Sequence, residues 1–315
     1  MEFSSIRWGL CCQFLDAPIK FRTATHRYIS SLKKREGRAY LARIARDNAE
    51  ALVQAVEECH RLGIGAFRVN SAILPLSTHP LSGYRLEEID SQGTAREGFI
   101  SAGERARELD IRLSFHPDQF VVLNSERREV VAFGQREIEY QNGVAELIGA
   151  DTIVVHGGSG AGGPAAALER LARGIDGLSD SARSRLALEN DDCRFTPAML
   201  MPVCGALGLP LVYDVHHHRC LPDGLSVAEA THLMMKSWGD REPYAHLSSP
   251  RDGWQARDRK PHAGFIQQED VPEEWSGLQM TVDIEAKEKE RAIGSLMETL
   301  AVRRVVPTRE KASLR

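Results

Sequence analysis

The segments IVVHGG (residues 153–158), LALEN (186–190) and LVYDVHHH (211–218) each contain a short apolar run that leads to a histidine or a carboxylate. The same pattern recurs in LSFHP (113–117), YAHLS (244–248) and VDIEAK (282–287). Apolar runs of this kind are typical of parallel strands that are buried on both faces. Because the strands of a parallel barrel end at one rim, the pattern predicts a (β/α)8 TIM barrel with a multinuclear metal site there. The residues that would meet at this rim are His116, His156, Glu189, Asp214, His217, His246 and Glu285.

Hydrophobic periodicity predicts alternating strands and helices along the whole chain. Strands are expected at residues 6–10, 66–69, 111–115, 152–155, 185–188, 211–213, 244–247 and 279–284. Helices are expected at about 39–62, 96–109, 128–148, 165–178, 197–207, 227–236 and 287–302. Eight β-α units with mostly short connections favour a closed barrel over an open sheet. We expect a single α/β domain over residues 1–305 and a polar tail over residues 306–315.

Composition excludes several classes of protein. With 315 residues, 42% apolar and 27% charged side chains, the chain has the composition of an ordinary globular protein. No apolar run approaches the ~20 residues of a membrane span, and the first residues lack the pattern of a secretory signal. The six cysteines form no regular framework, which predicts reduced thiols and a cytoplasmic location.

Charge and glycine patterns leave alternatives open. The formal net charge of −4 gives no argument for nucleic acid. Basic side chains are concentrated at residues 20–46 and 251–260, where they could contact phosphates, although solvated helix faces look the same. The glycine-rich loop 157–163 contains neither GxGxxG nor GxxxxGK[ST], so we expect no nucleotide cofactor. This loop could let a DNA backbone approach, or it could be a flexible turn.

The candidate ligands determine the chemistry that the rim could perform. Histidine and carboxylate ligands without thiolates favour Zn²⁺, Mn²⁺ or Fe²⁺, and the set is larger than one ion needs. Two or three ions are therefore predicted, with Glu189 and Glu285 suited to bridging them. Paired ions ~3.5–4 Å apart stabilise both the attacking and the leaving oxygen of an in-line displacement, which favours phosphodiester hydrolysis. His79 in PLSTHP and His262 in KPHAGF could extend the ligand set.

The chain resembles the UV damage endonuclease family in eight segments that occur in the expected order. They are PLSTHP, FHPDQF, VVHGG, LALEND, DVHHH, HLSSP, KPHAGFI and DIEAKEKE. The similarity extends over nearly the whole chain, from IRWGLCC to DIEAKEKE. Members of this family are TIM barrels similar to the endonuclease IV type of AP endonuclease. They cut DNA immediately 5′ to UV photoproducts and abasic sites with a cluster of divalent metal ions, often manganese.

The resemblance implies roles for individual residues. Glu189, Glu285 and Lys287 would be catalytic, and Gln119 and Phe120 in FHPDQF would probe the damaged duplex. The cofactor would be two or three ions, Mn²⁺ or alternatively Zn²⁺, and the partner would be damaged double-stranded DNA bound by a monomer. The implied metal ligands are His79, His116, His156, Glu189, Asp214, His217, His246, His262 and Glu285.

This chain departs from the family at two positions. Leu10 stands where the family commonly has a tyrosine, and Tyr244 stands where it commonly has a lysine that can be carboxylated at the metal site. A phenol cannot form a carbamate, so either one metal is held differently or Tyr244 faces the core. The exposed-probe role of Phe120 likewise has an alternative, in which Phe120 is a core residue.

Two other functions are compatible with the pattern. A sugar isomerase or epimerase on a similar barrel would need one or two ions and a compact pocket without a DNA groove. A non-catalytic protein that binds DNA damage would keep the barrel and lose turnover. The pair Gln119–Phe120 and the basic segments disfavour the first alternative, and retention of the full ligand set disfavours the second.

Overall fold

The structure is a computed structural model that describes residues 2–302. Within this range the strands are β1 (Ile6–Cys11), β2 (Ala66–Val69), β3 (Arg112–Phe115), β4 (Thr152–His156), β5 (Leu186–Glu189), β6 (Leu211–Asp214), β7 (Tyr244–Leu247) and β8 (Met280–Ile284). Each strand pairs in parallel with its neighbours in sequence, and β1 pairs with β8 to close the ring. The predicted (β/α)8 TIM barrel is therefore confirmed. The predicted tail, residues 306–315, lies outside the described residues.

Helices connect the strands on the outside of the barrel. Within residues 2–302 they are α1 (His26–Ser31), α2 (Lys34–Arg61), α3 (Leu86–Ile89), α4 (Thr94–Glu108), α5 (Arg128–Ile148), α6 (Pro164–Asp176), α7 (Asp180–Arg185), α8 (Pro197–Leu207), α9 (Val215–Cys220), α10 (Val227–Ser237) and α11 (Lys289–Val302). None of the helices in the described range combines the length and the apolar character needed to cross a membrane.

Sequence periodicity misses the short helices α1, α3, α7 and α9. They have four to six residues, and a run of this length is too short to show a helical period. Local hydrogen bonds mark three of their starts: the side chains of Thr25, Ser179 and Asp214 accept from backbone N–H groups of the following turn. Side-chain caps of this type satisfy N–H groups that have no partner within the helix.

Four strands, β1, β4, β5 and β6, end one residue later than predicted, and in β4, β5 and β6 the added residue is a candidate ligand. The strands β4, β5 and β6 end at His156, Glu189 and Asp214. The ladder of hydrogen bonds pairs His156 with Glu189 and Asp214 with His246. Paired residues on adjacent strands are neighbours because the strands lie only about 4.8 Å apart. The register of the strands alone therefore brings these side chains together, without a contribution from the loops.

Charged residues occupy the inside of the barrel near this rim. Arg68, Glu189, Asp214 and Asp283 are all buried. Gly9 on β1 provides the space for one of them, because a Cβ atom at residue 9 would lie 2.0 Å from Oδ1 of Asp283. A buried charge is costly unless it is paired or coordinates a metal. The contacts of these four residues must therefore compensate for their charges.

Candidate metal centre

Seven of the predicted ligands converge at the carboxyl ends of the strands. Within residues 2–302, they form three overlapping groups whose ligand atoms lie within 4.8 Å of one another. These groups are His116–His156–Glu189, Glu189–Asp214–His217 and His116–His246–Glu285. Residues from separate strand ends thus meet in one place, as the sequence pattern predicts.

Glu189 lies at the centre of the cluster. Its side chain is fully buried; Oε2 lies 2.8 Å from Nε2 of His116, and Oε1 lies 2.9 Å from Nδ1 of His246. Nδ1 of His156 is 3.6 Å from Oε2. Burial opposes ionisation of this carboxyl, but His156, His246 and His116 outweigh it and hold the pKa of Glu189 well below its usual range. Glu189 is therefore a buried carboxylate with two oxygens facing different histidines, which suits a bridging ligand.

Asp214 and His217 are oriented by the first turn of α9. Oδ1 of Asp214 accepts from the backbone N–H of His217 at 2.7 Å, which leaves Oδ2 directed toward the cluster 3.5 Å from Nδ1 of His217. Asn190 fixes the backbone on both sides, because its side chain exchanges hydrogen bonds with the N–H and C=O of Asp214. The DxxH spacing thus reflects a strand that turns directly into a short helix.

His262 and Lys287 lie on the side of the cluster next to Glu285. Nδ1 of His262 is 3.6 Å from Oε2 of Glu285, so the loop after β7 brings this histidine to the ligand set. A cleft of about 740 Å³ opens here, and Lys287 and Lys289 line it together with Glu285 and His262. The lysines make this cleft suitable for an anionic substrate.

His79 is not among these close groups in the described part of the chain. Its ring stacks on that of His26 with centroids 4.3 Å apart, and its Nδ1 accepts from the backbone N–H groups of Leu81 and Ser82. These contacts fold the loop after β2 around the imidazole. His79 therefore has an evident structural role, and its role as a metal ligand stays a prediction.

Gln119 and Phe120 are both exposed on the loop after β3. Phe120 is 72% exposed, so it is not a core residue, and the alternative of a packing role does not hold. Asp118 shapes the loop by accepting from the backbone N–H of Phe120 at 3.0 Å. An exposed aromatic side chain on the same rim as the ligand cluster needs an explanation other than folding.

His216 and His218, the other two histidines of LVYDVHHH, are buried in the structure. His218 lies between the hydroxyl of Tyr213 (2.8 Å) and Oδ1 of Asp223 (2.9 Å). Nε2 of His216 lies 3.3 Å from the backbone oxygen of Lys260. Both imidazoles therefore support the loops around the cluster.

Arg68, the penultimate residue of β2, is a site residue that the sequence pattern misses. Its Nε donates to Oδ2 of Asp283 and its Nη1 donates to Oε1 of Glu285, both at 2.7 Å, while Nη2 lies 2.9 Å from Nε2 of His246. The side chain is 9% exposed. The available signal was an arginine inside the otherwise apolar strand AFRV, but arginine is not a metal ligand, so a search for ligands passes over it.

The two departures from the family are both buried side chains. Leu10 is fully buried in the barrel core. The hydroxyl of Tyr244 lies 2.8 Å from Oγ of Ser114, and burial raises the pKa of Tyr244 well above its usual value. Tyr244 is therefore a neutral core phenol with a hydroxyl partner in the barrel.

The donor set fits a divalent metal ion. Nδ1 of His156 and Oδ2 of Asp214 are buried without a hydrogen-bond partner, although buried polar atoms normally have one. Each belongs to a residue of a different close group, and Glu189 is common to both groups. Histidine nitrogens and carboxylate oxygens without thiolates match borderline divalent ions such as Zn²⁺ and Mn²⁺. These residues could therefore hold a metal.

Comparison of the sequence with known proteins identifies the family of this chain. The UV-endonuclease UvdE family matches residues 6–313. A UV DNA damage endonuclease of Deinococcus radiodurans is 33% identical over 304 residues, covering 91% of this chain and 93% of that protein. A UV-damage endonuclease of Neurospora crassa is 33% identical over 282 residues, covering 84% of this chain, which spans 42% of the fungal protein.

Comparison with solved structures supports the same family. The crystal structure of SacUVDE has a TM-score of 0.82 and 25% sequence identity, covering 96% of this chain and 100% of that chain. Endonuclease IV from Thermus thermophilus, with a TM-score of 0.60 and 18% identity over 94% of this chain and 99% of that one, shares the fold alone. The resemblance predicted from the sequence is thus confirmed, and this chain belongs to the UV-endonuclease UvdE family.

Proposed function

We propose that this protein is a divalent-metal-dependent DNA repair endonuclease. It cuts the phosphodiester backbone immediately 5′ to UV photoproducts, with abasic sites as a second substrate class. The observation that carries the proposal is that Glu189 lies close to histidines from other strand ends. The rim where they meet opens into a cleft that is lined by Lys287 and Lys289. The names of the relatives, UV DNA damage endonuclease and UV-damage endonuclease, support the same activity.

The proposed cofactor is Mn²⁺, with Zn²⁺ as the alternative. When bound, paired ions supply a nucleophile at neutral pH and stabilise the attacking and leaving oxygens. Glu189 would bridge two ions, because it belongs to two of the close groups. The proposed ligands otherwise are His79, His116, His156, Asp214, His217, His246, His262 and Glu285, and the ion count is two or three.

The remaining residues would bind and orient the substrate. Lys287 is exposed on the wall of the cleft beside Glu285, where its ammonium group would hold a phosphate oxygen near the cluster. Gln119 and Phe120 would enter the base stack where a lesion has weakened it. Inserting a side chain between two stacked bases costs a few kcal/mol, and it costs less where a lesion has weakened the stacking. The pair would therefore select damaged DNA without reading its base sequence.

Replacing both Gln119 and Phe120 by alanine tests the probe. We expect binding to a damaged duplex to weaken about tenfold or more, because stacking on an aromatic side chain contributes roughly 1–3 kcal/mol per base. Binding to an undamaged duplex should change less than about twofold on the same basis, since no base is displaced there. Fluorescence anisotropy with both duplexes measures the two Kd values, and metal content serves as the control. An equal loss on both duplexes would mean that the pair contacts phosphates or shapes the loop.

Tyr244→Phe tests whether the phenol takes part in the metal site. We expect unchanged metal stoichiometry and nicking, because the hydroxyl contacts Ser114 in the core. The free energy of unfolding should fall by about 1–3 kcal/mol, since the buried hydroxyl of Ser114 loses its partner. Elemental analysis and denaturant unfolding measure the two quantities. Loss of an ion from this variant would show that the phenol is a ligand.

One set of assays separates the proposed function from its alternatives. The protein, loaded with Mn²⁺, is incubated with a UV-irradiated oligonucleotide duplex, with a panel of ketose and aldose sugars, and with the same duplex under binding conditions. Nicking of the irradiated strand supports the endonuclease. Sugar turnover without nicking would support an epimerase, and tight binding without nicking would support a damage-binding protein.

A further inference from the structure

Exposed apolar side chains are unevenly distributed between the two ends of the barrel. Within residues 2–302, the large apolar side chains that are exposed are Leu15, Tyr28, Leu81, Phe120, Met199 and Phe265. Four of them lie in loops that follow the carboxyl ends of strands: Leu15 after β1, Leu81 after β2, Phe120 after β3 and Phe265 after β7. None of the six lies in a loop at the opposite end of the described barrel. This concentration at the rim of the ligand cluster indicates apolar contacts with a partner.

Leu81 is the most exposed of the six, at 81%, and a tight turn holds its backbone. The N–H of Gly83 donates to the backbone oxygen of His79 at 2.7 Å. The N–H of Tyr84 donates to the backbone oxygen of Ser77 at 3.0 Å. The turn has no room for a side chain at residue 83, because a Cβ atom there would lie 2.6 Å from the oxygen of His79. An ordered backbone therefore presents Leu81 to solvent, so little conformational entropy would be lost when this side chain binds a partner.

The loop that carries Leu81 and the loop that carries Phe120 are joined through α5. The two loops begin side by side, because β2 and β3 are neighbours in the ring. The hydroxyl of Thr78 in the first loop donates to the carboxylate of Glu137 on α5. Burial raises the pKa of Glu137, and the nearby charge of Asp118 in the second loop adds to this shift. Leu81 and Phe120 therefore belong to neighbouring loops that are supported by the same helix.

Basic side chains lie beside the turn that carries Leu81. Nδ1 of His26 lies 2.6 Å from Oγ of Ser82, which joins this turn to the start of α1. Arg27 follows directly and is exposed, as are the three basic side chains at residues 33–35. A duplex presents phosphates on its outside and apolar base faces within its stack. An exposed leucine flanked by cations matches this combination.

We propose, on the basis of the proposed function, that Leu81 inserts between bases of the damaged duplex next to the step that Gln119 and Phe120 enter. Leucine is one of the apolar side chains that proteins insert between base steps, and such insertions bend the duplex. Two insertions from neighbouring loops hold the weakened step open and bend the DNA over the ligand cluster. Leu81 carries no reactive group, so it determines specificity for damage and takes no part in the chemical step.

Leu81→Ala tests this proposal in a binding experiment. The Mn²⁺-loaded protein is mixed with a damaged duplex that has a non-hydrolysable linkage 5′ to the lesion, and with the undamaged duplex. Fluorescence anisotropy gives the two Kd values, and energy transfer between dyes at the duplex ends gives the bend. We expect the Kd for the damaged duplex to rise about fivefold or more, because most of the apolar area that leucine buries is lost. The Kd for the undamaged duplex should change less than about twofold, since its bases stay stacked.

The bend of the damaged duplex should also decrease with Leu81→Ala, which separates insertion from a contact with the phosphates. Leu81→Met keeps an apolar side chain of similar size and should retain both the affinity and the bend. Met199→Ala is the matched control, because Met199 is exposed on α8, away from the loop after β2, and should change neither quantity.

An unchanged Kd and bend in Leu81→Ala, or an equal loss of affinity for both duplexes, would overturn the proposal. Cleavage of an ordinary damaged duplex by the parent protein is measured separately. Cleavage by the parent together with unchanged binding by Leu81→Ala would contradict this inference alone. A parent protein that neither prefers nor cuts the damaged duplex would contradict the proposed function, and this inference with it.

Discussion

Replacing Glu189 by glutamine is expected to lower cleavage of a UV-irradiated duplex by more than about 100-fold, because loss of even an outer partner of a metal ligand costs roughly 10–100-fold. Glutamine keeps the shape but lacks the negative charge and the second oxygen acceptor. Glu189 faces His116 through Oε2 and His246 through Oε1, so both sides of the cluster are affected. Metal content should fall together with activity, and the circular dichroism spectrum should stay that of the parent.

The matched control is Glu104→Gln, an exposed position on α4, which should retain full metal content and activity. Glu285→Gln should also reduce cleavage and metal content, because Glu285 joins Arg68, His246 and His262. Full activity in both Glu189→Gln and Glu285→Gln would exclude a multinuclear site built on these carboxylates.

Gly9→Ala is expected to lower the free energy of unfolding by roughly 3 kcal/mol or more, the scale of overpacking combined with disruption of a buried ion pair. The new Cβ would lie 2.0 Å from Oδ1 of Asp283 and 3.3 Å from the Cβ of Ala66. Asp283 cannot move away easily, because Arg68 holds its other oxygen at 2.7 Å. The substitution therefore strains the buried charged residues beneath the ligand cluster as well as the barrel wall.

Gly205→Ala on α8 provides the control for Gly9→Ala. Apart from the adjacent residues and the backbone of α8 itself, no atom of the described residues lies within 4 Å of the position of its Cβ, so alanine should be tolerated or should stabilise the helix by about 0.5–1 kcal/mol. Denaturant unfolding of both variants, with the slope compared to that of the parent, measures the difference. Equal stability of the two variants would mean that the barrel interior around Asp283 is not packed as described.

The barrel could be predicted from the sequence because its buried strands are apolar runs and its ligands stand at their ends. His156, Glu189 and Asp214 were placed just outside the predicted strands, although the ladder includes them. A rule based on hydropathy assigns a histidine or carboxylate that follows an apolar run to the loop and not to the strand. The hydrogen-bond register, which no local pattern encodes, decides that it still belongs to the strand.

The features of the site that the sequence does not predict depend on contacts between residues that are distant in sequence. Arg68 is recognised only when Asp283, Glu285 and His246 are seen around it, and these lie 178 to 217 positions away. His79 shows the converse: its sequence context matches that of a ligand, but local hydrogen bonds and the ring of His26 organise its loop. Side-chain identity thus located the rim, whereas the separate roles of the residues within it required the fold.

Cleavage of a duplex that carries one defined cyclobutane pyrimidine dimer tests the central claim most directly. The protein is stripped of metal with a chelator, and the reaction is run with and without added Mn²⁺, with an undamaged duplex of the same sequence beside it. We expect a single nick at the phosphodiester immediately 5′ to the dimer, in the presence of Mn²⁺ and in the damaged duplex. An intact damaged strand with every divalent ion tried, or equal cutting of the undamaged duplex, would contradict the account.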